Sequence, residues 1–127
     1  MKKMLFAIII CIPLLNGCMS PEERKKEKER EVIEKMMNDE KEFATRAYVM
    51  SQDFVRQKLK SPSTAIFSRS DYTNGPVFSK SVEIKSYVDS QNGFGATIRT
   101  NYRIRLEQIG EDWSDIKNWK VSSLSFE

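Results

Sequence analysis

The chain has 127 residues, 39% hydrophobic and 31% charged, with 21 Lys and Arg against 18 Asp and Glu for a formal net charge of +3. It contains no histidine and two cysteines, so the commonest general base and a principal zinc ligand are missing from the start. The length suits one domain of ordinary size, and so slight a positive charge argues against a nucleic-acid-binding surface.

Lys2 and Lys3 precede an apolar stretch from Met4 through Leu15, the charged-then-hydrophobic order of an export signal. A membrane-crossing helix needs about 20 apolar residues. This stretch is shorter, contains Pro13 and runs into polar sequence, so it is expected to be a signal and not a span.

The stretch ends in Leu15-Asn16-Gly17-Cys18, with an aliphatic residue three before the cysteine and a small one just before it. In this the chain resembles a bacterial lipoprotein precursor. The resemblance implies cleavage before Cys18, a thioether from its thiol to diacylglycerol and acylation of the freed amine. Several acyl chains on one residue exceed what stable membrane anchoring needs. Met19, where an aspartate does not stand, implies an outer-membrane lipoprotein facing the periplasm if the source is an enteric-type bacterium. The lysine- and isoleucine-rich leader and small size also suit a lipoprotein carried by a prophage or another mobile element.

On this reading residues 1–17 are the signal peptide, 18–31 the lipid anchor and charged helical tether, and 32–127 a single α+β domain. Cys11 leaves with the signal and Cys18 is consumed by lipid, so no disulfide remains and the domain must hold by packing alone. Loss of Lys2 and Lys3 leaves 19 basic against 18 acidic residues, a net charge of +1.

From Ser20 to Glu31 the only apolar residue is Pro21, and the charges run almost unbroken. Ser20, Pro21 and Glu23 form the signature of a capping box with proline at the first helical position, which predicts a solvated helix. Twelve residues of it would stand the domain off by roughly 18 Å at 1.5 Å per residue.

Val32, Ile33, Met36 and Met37 then begin an apolar stripe that resumes at Phe43, Ala44, Ala47, Tyr48, Phe54, Val55 and Leu59. The spacing predicts a helix ending near Lys60, with its apolar face packed on its own domain. A second capping signal at Asp39 and Glu42 leaves one long helix or two, broken near Asn38, both open. A coiled-coil partner surface is the competing use of the stripe.

Extended pattern begins at Ala65-Ile66-Phe67, and Asn74-Gly75 and Asn92-Gly93 are dipeptides favoured in tight hairpin turns. Between them Val82, Ile84 and Val88 alternate with polar residues, although Ser86 interrupts the apolar row. Next, Ala96, Ile98, Thr100, Tyr102, Ile104 and Leu106 share one face while Thr97, Arg99, Asn101, Arg103, Arg105 and Glu107 share the other. After a polar loop, Trp119, Val121, Leu124 and Phe126 change parity, predicting a bulge near Ser122 and Ser123.

The whole is an α+β fold, a long N-terminal helix packed on a four-stranded antiparallel meander. A cystatin-like or nuclear-transport-factor-like shape would satisfy this order. Ser61-Pro62-Ser63-Thr64-Ala65, the run from Ser86 to Ala96, and Trp119-Lys120-Val121 resemble a small bacterial domain of short lipoproteins and membrane-tethered proteins with no assigned activity. That resemblance spans roughly residues 45 to 126 and implies a shared fold, not a function.

Among groups that carry chemistry, Glu111, Asp112 and Asp115 lie in the polar loop without the spacing of a calcium site, and read as a solvated turn. The candidate surface is the polar face of the sheet, where Arg99, Arg103 and Arg105 form a row beside Lys85, Tyr87 and Asp89. Arginine forks suit carboxylates and phosphates. Cross-strand pairing with acids is the plainer use of the same residues.

Phe94, between Gly93 and Gly95, either meets a partner or folds inward. Trp119 is expected in the core. No catalytic, metal or cofactor site is expected. The predicted function is a non-enzymatic, membrane-anchored interaction module with an envelope protein partner; a receptor for a small anionic ligand is the alternative.

Overall fold

A computed structural model describes residues 19–127; the expected signal peptide and the expected lipidation at Cys18 lie outside the described residues. Helix α1, Pro21–Arg56, runs unbroken through Asn38, so the second capping signal does not divide it. At its start the Ser20 N–H donates to Glu23 Oε2 at 2.8 Å and the Glu23 N–H donates to Ser20 Oγ at 3.2 Å. This is the reciprocal cap that the sequence predicts. The hydrogen bonds from Ser20 hold the Glu23 carboxyl below its usual pKa. No helix among the described residues is long and apolar enough to cross a membrane.

The chain divides into two compact units, one up to Ile33 and one from Glu34 to Glu127. In the first, every described residue is exposed, Val32 and Ile33 included. In the second, α1 contributes Ala44, Ala47, Tyr48, Met50, Ser51 and Val55 to the buried core at helical spacing. Met36 and Met37 share that face of the helix but are 59% and 66% exposed. The expectation that the whole stripe packs on the domain is therefore corrected: burial begins only at Phe43 and Ala44.

Strands β1 (Ile66–Asn74), β2 (Ser81–Gln91), β3 (Thr97–Gln108) and β4 (Trp119–Phe126) form an open antiparallel sheet in sequence order. Val82, Ile84 and Val88 of β2 and Tyr102, Ile104 and Leu106 of β3 supply its core face, all at most 2% exposed. Each such aliphatic side chain contributes about 1.5–3 kcal/mol by leaving water. Trp119 is buried, stacks 5.6 Å from Phe43 at a tilt, and donates its indole N–H to the Trp113 carbonyl at 2.7 Å. The bulge predicted in β4 is present: Arg105 faces Ser123 but Leu106 faces Val121, leaving Ser122 unpaired.

The turns depart from expectation. Asn74-Gly75 ends β1 without making the hairpin, because Pro76 follows and the tight turn forms later at Ser79 and Lys80. Both adopt positive φ, 48° and 59°, and Phe78 and Ser81 exchange two backbone hydrogen bonds across them. At the other end the β2–β3 loop places Gly95, not Gly93, at positive φ (80°). In the polar loop before β4, a Cβ on Gly110 would meet Asn118 Oδ1 at 2.1 Å, so only glycine fits there without a shift.

In β1, Phe67 faces Val88 and Tyr72 faces Ser86, so a wide bulge intervenes. It is stapled to the core by polar groups. The Tyr48 hydroxyl donates to the Ser68 carbonyl, and Ser86 Oγ donates to the Asp71 carbonyl at 2.7 Å. This explains the serine that interrupts the apolar row of β2. Tyr72 stacks on Tyr48 at 4.1 Å, and buried Ser51 donates to the Tyr48 carbonyl while lying 3.4 Å from the Tyr102 hydroxyl. Burial pushes the Tyr102 hydroxyl above its ordinary pKa.

Candidate functional site

The register of β2 against β3 decides what the arginine row can do. Asp89 faces Arg99 and Glu83 faces Arg105, so two of the three guanidiniums meet a carboxylate directly across the ladder. Arg99 makes a two-pronged pair with Asp89, Nε to Oδ1 and Nη2 to Oδ2, both 2.8 Å. Its guanidinium also lies 3.8 Å from the Tyr87 ring centroid. The pair depresses the Asp89 pKa and raises that of Arg99. Arg105 Nη2 reaches Glu83 at 3.2 Å.

Arg103 is the exception, because it faces Lys85. Its charge is met from the other side by Glu127, 3.1 Å away, while Lys85 lies 3.8 Å from Glu83. Lys85, Tyr87 and Arg103 line one depression of about 260 Å³ together with Asp71 and Glu127. Within that depression two cations meet two carboxylates. The predicted surface thus separates into an Arg99–Asp89–Tyr87 stack, an Arg105–Glu83 pair and this charge-balanced hollow. Sequence alone missed Glu83 and Glu127 as partners.

Phe94 belongs to none of them. Asn92 Oδ1 accepts the N–H groups of Phe94 and Ala96 at 2.9 and 3.0 Å, and Gly95 donates to the Asn92 carbonyl. The loop so tied leaves the Phe94 ring 98% exposed. Of its two alternatives, the inward-folded ring is ruled out.

The larger unsatisfied surface lies beside that loop. Helix α1 stops at Arg56, short of the predicted Lys60, because Lys58 and Leu59 already hydrogen-bond three residues back, to Val55 and Arg56. The core face of β3 continues beyond it. Ile98 is 46% and Phe126 40% exposed, correcting the expectation that every residue on that face is core. Ile98, Thr100, Phe126 and Leu59 line a groove of about 220 Å³ that Lys58, Lys60 and Gln91 border. Among the described residues neither lysine takes part in an ion pair.

Two of the three carboxylates of the polar loop, Asp112 and Asp115, serve the turn itself. Asp112 Oδ1 accepts the Ser114 N–H and hydroxyl at 3.0 and 2.6 Å, which lowers its pKa, and Asp115 Oδ1 accepts the Lys117 N–H at 2.9 Å. Among the described residues no three Cys, Asp or Glu side chains converge as metal ligands would. Compared with known proteins, the chain matches no protein-family model, no curated protein and no solved structure.

Proposed function

We propose that the chain is a non-enzymatic, lipid-tethered interaction module of the bacterial cell envelope, held through Cys18 and docking a protein partner on the apolar groove at the end of its sheet. One observation carries the docking half: the core face outruns its covering helix, leaving Ile98 and Phe126 uncovered beside an outward-held Phe94. A groove of about 220 Å³ is smaller than the roughly 300–1,000 Å³ of small-molecule sites, so it suits one or two inserted side chains better than a whole ligand. Exposed aromatic and aliphatic groups of this kind are the usual anchors of protein interfaces.

The anchoring half rests on Leu15-Asn16-Gly17-Cys18, and the outer membrane facing the periplasm is the address that Met19 supports in an enteric-type source. Metabolic labelling with a fatty acid tests it: the natural chain takes up label and Cys18→Ala does not. Label retained by the variant removes the anchor. For docking, Ile98→Glu is expected to abolish crosslinked protein complexes of the full chain in its native membranes while leaving the fold intact. Unchanged complexes would remove the groove from the account.

A second reading, the small anionic ligand, draws on the Lys85–Arg103 like-charge pairing in the hollow of the polar face. It requires that Lys85→Gln with Arg103→Gln abolish a ligand-induced rise in melting temperature. Asp71 and Glu127 in the same hollow weigh against it.

A further inference from the structure

Several apolar side chains of the Glu34–Glu127 unit lack a cover, Ile66, Phe78 and Ile109 among them, and two surfaces stand out by their flanking charge. One is the groove lined by Ile98, Leu59 and Phe126, with Lys58 and Lys60 at its edge. The other is the turn of α1 carrying Met36 and Met37, flanked by Glu34, Asp39 and Glu40 against Lys35 and Lys41, all exposed, an acidic excess of one charge. The first is basic and the second acidic, so their charges match.

The helical phase agrees as well. Met36 and Met37 lie in phase with Ala44, Ala47, Tyr48, Ser51 and Val55, the residues with which α1 already covers the middle of the sheet. The same helical face, one segment earlier, therefore presents what the end of a sheet needs. Methionine adapts its shape to such a groove at little cost.

A molecule cannot make this contact with itself. From Met36 to Arg56 the helix is unbroken and spans about 30 Å at 1.5 Å per residue, so the two surfaces stand at opposite ends of this segment. We propose that the groove at Ile98 receives the Met36–Met37 turn of a second copy, head to tail. The inference rests on the groove being a protein-docking surface. Repeated head to tail and not reciprocated across a two-fold axis, this contact leaves one of each surface free at the ends of a dimer, and further copies form a ring where the rotation closes and an open chain where it does not. A groove of about 220 Å³ takes in little more than one turn of helix, so single contacts are weak and gain strength from the high local concentration of chains tethered to one membrane.

The test places the photo-crosslinking residue benzoylphenylalanine at Ile98 of the full chain, co-expressed with a differently tagged natural copy. The expected product carries both tags and joins position 98 to the tryptic peptide Met36–Lys41 of the other copy. Met36→Glu with Met37→Glu in that copy lowers the yield roughly tenfold, and Lys58→Glu with Lys60→Glu in the probe-bearing copy does likewise. Pairing the latter with Asp39→Lys and Glu40→Lys restores it. Should the Ile98 probe disturb folding, the same probe at the 98% exposed Phe94 takes its place. Crosslinks to another region of the second copy overturn the Met36–Met37 contact, and crosslinks to a different protein overturn self-association; both leave the docking surface standing. Crosslinks to lipid alone, or none from either position, overturn both.

Discussion

The polar face of the sheet and the uncovered end of its core face bear different kinds of exposure. On the polar face Arg99, Arg103 and Arg105 each meet a carboxylate within 3.2 Å, so its charges answer one another and little is left for a ligand. At the uncovered end Ile98, Phe126 and Phe94 meet water with nothing to answer them. A row of arginines draws the eye in a sequence, yet in an antiparallel sheet its availability depends on which residue stands opposite. An apolar residue in a well-alternating strand draws none, and its availability depends on where the covering helix stops.

This contrast is best broken first where effects are large. Ile104→Ala, beneath the helix, should lower unfolding stability by about 2–5 kcal/mol in chemical denaturation. Ile98→Ala, on the same face of the same strand, should cost well under half as much, since it is already 46% exposed. Equal losses would mean that the end of the sheet is covered after all.

Gly110→Ala should cost about 1–3 kcal/mol, because the new methyl meets Asn118 and the turn must shift; an unchanged melting temperature would show that Asn118 swings away freely. Tyr102→Phe, which removes the hydroxyl near Ser51, should cost about 1 kcal/mol. The raised Tyr102 pKa adds a sign. Stability from the neutral phenol is fully present below the unfolded value of about 10 and is lost as pH rises through the folded value. Alkaline unfolding of the natural chain should thus show a component that Tyr102→Phe lacks.

On the polar face the effects shrink. Arg105→Ala should change stability by less than about 1 kcal/mol, since both partners are partly exposed. Asp89 has a lowered pKa, so its contribution is present above the unfolded value of about 3.9 and is lost as pH falls through the folded one. Arg99→Ala should therefore lower stability slightly at neutral pH, leave it unchanged well below the folded value, and so flatten the acid limb of the stability curve. NMR titration of Asp89 in the two chains checks this directly.

Much of the fold was legible because period and cap are local. The alternation of β3, the parity change at Ser122 and the Ser20–Glu23 box each depend on a few neighbours, and each is found in place. What was not legible depended on distance. No pattern in Ser68-Arg69-Ser70-Asp71 announces the bulge of β1, which exists because Tyr48 and Ser86 hold its carbonyls from other elements. Asn74-Gly75 carries a strong turn signal, but Pro76 removes a backbone donor just beyond it. The arginine row was visible, whereas Glu83 and Glu127 became its partners only through register and through β4. Alternation marked the face of Ile98 correctly without saying that α1 ends too early to cover it.

The most direct test of the claim that this domain meets its partner through the apolar end, and not through the arginine row, compares two variants of the full chain in its native membranes. One is Ile98→Glu, the other Arg99→Ala, Arg103→Ala and Arg105→Ala together, with crosslinked complexes quantified after both are shown to fold. Complexes should fall roughly tenfold in the first and stay within about twofold in the second. Loss in the arginine variant with retention in Ile98→Glu would contradict the claim.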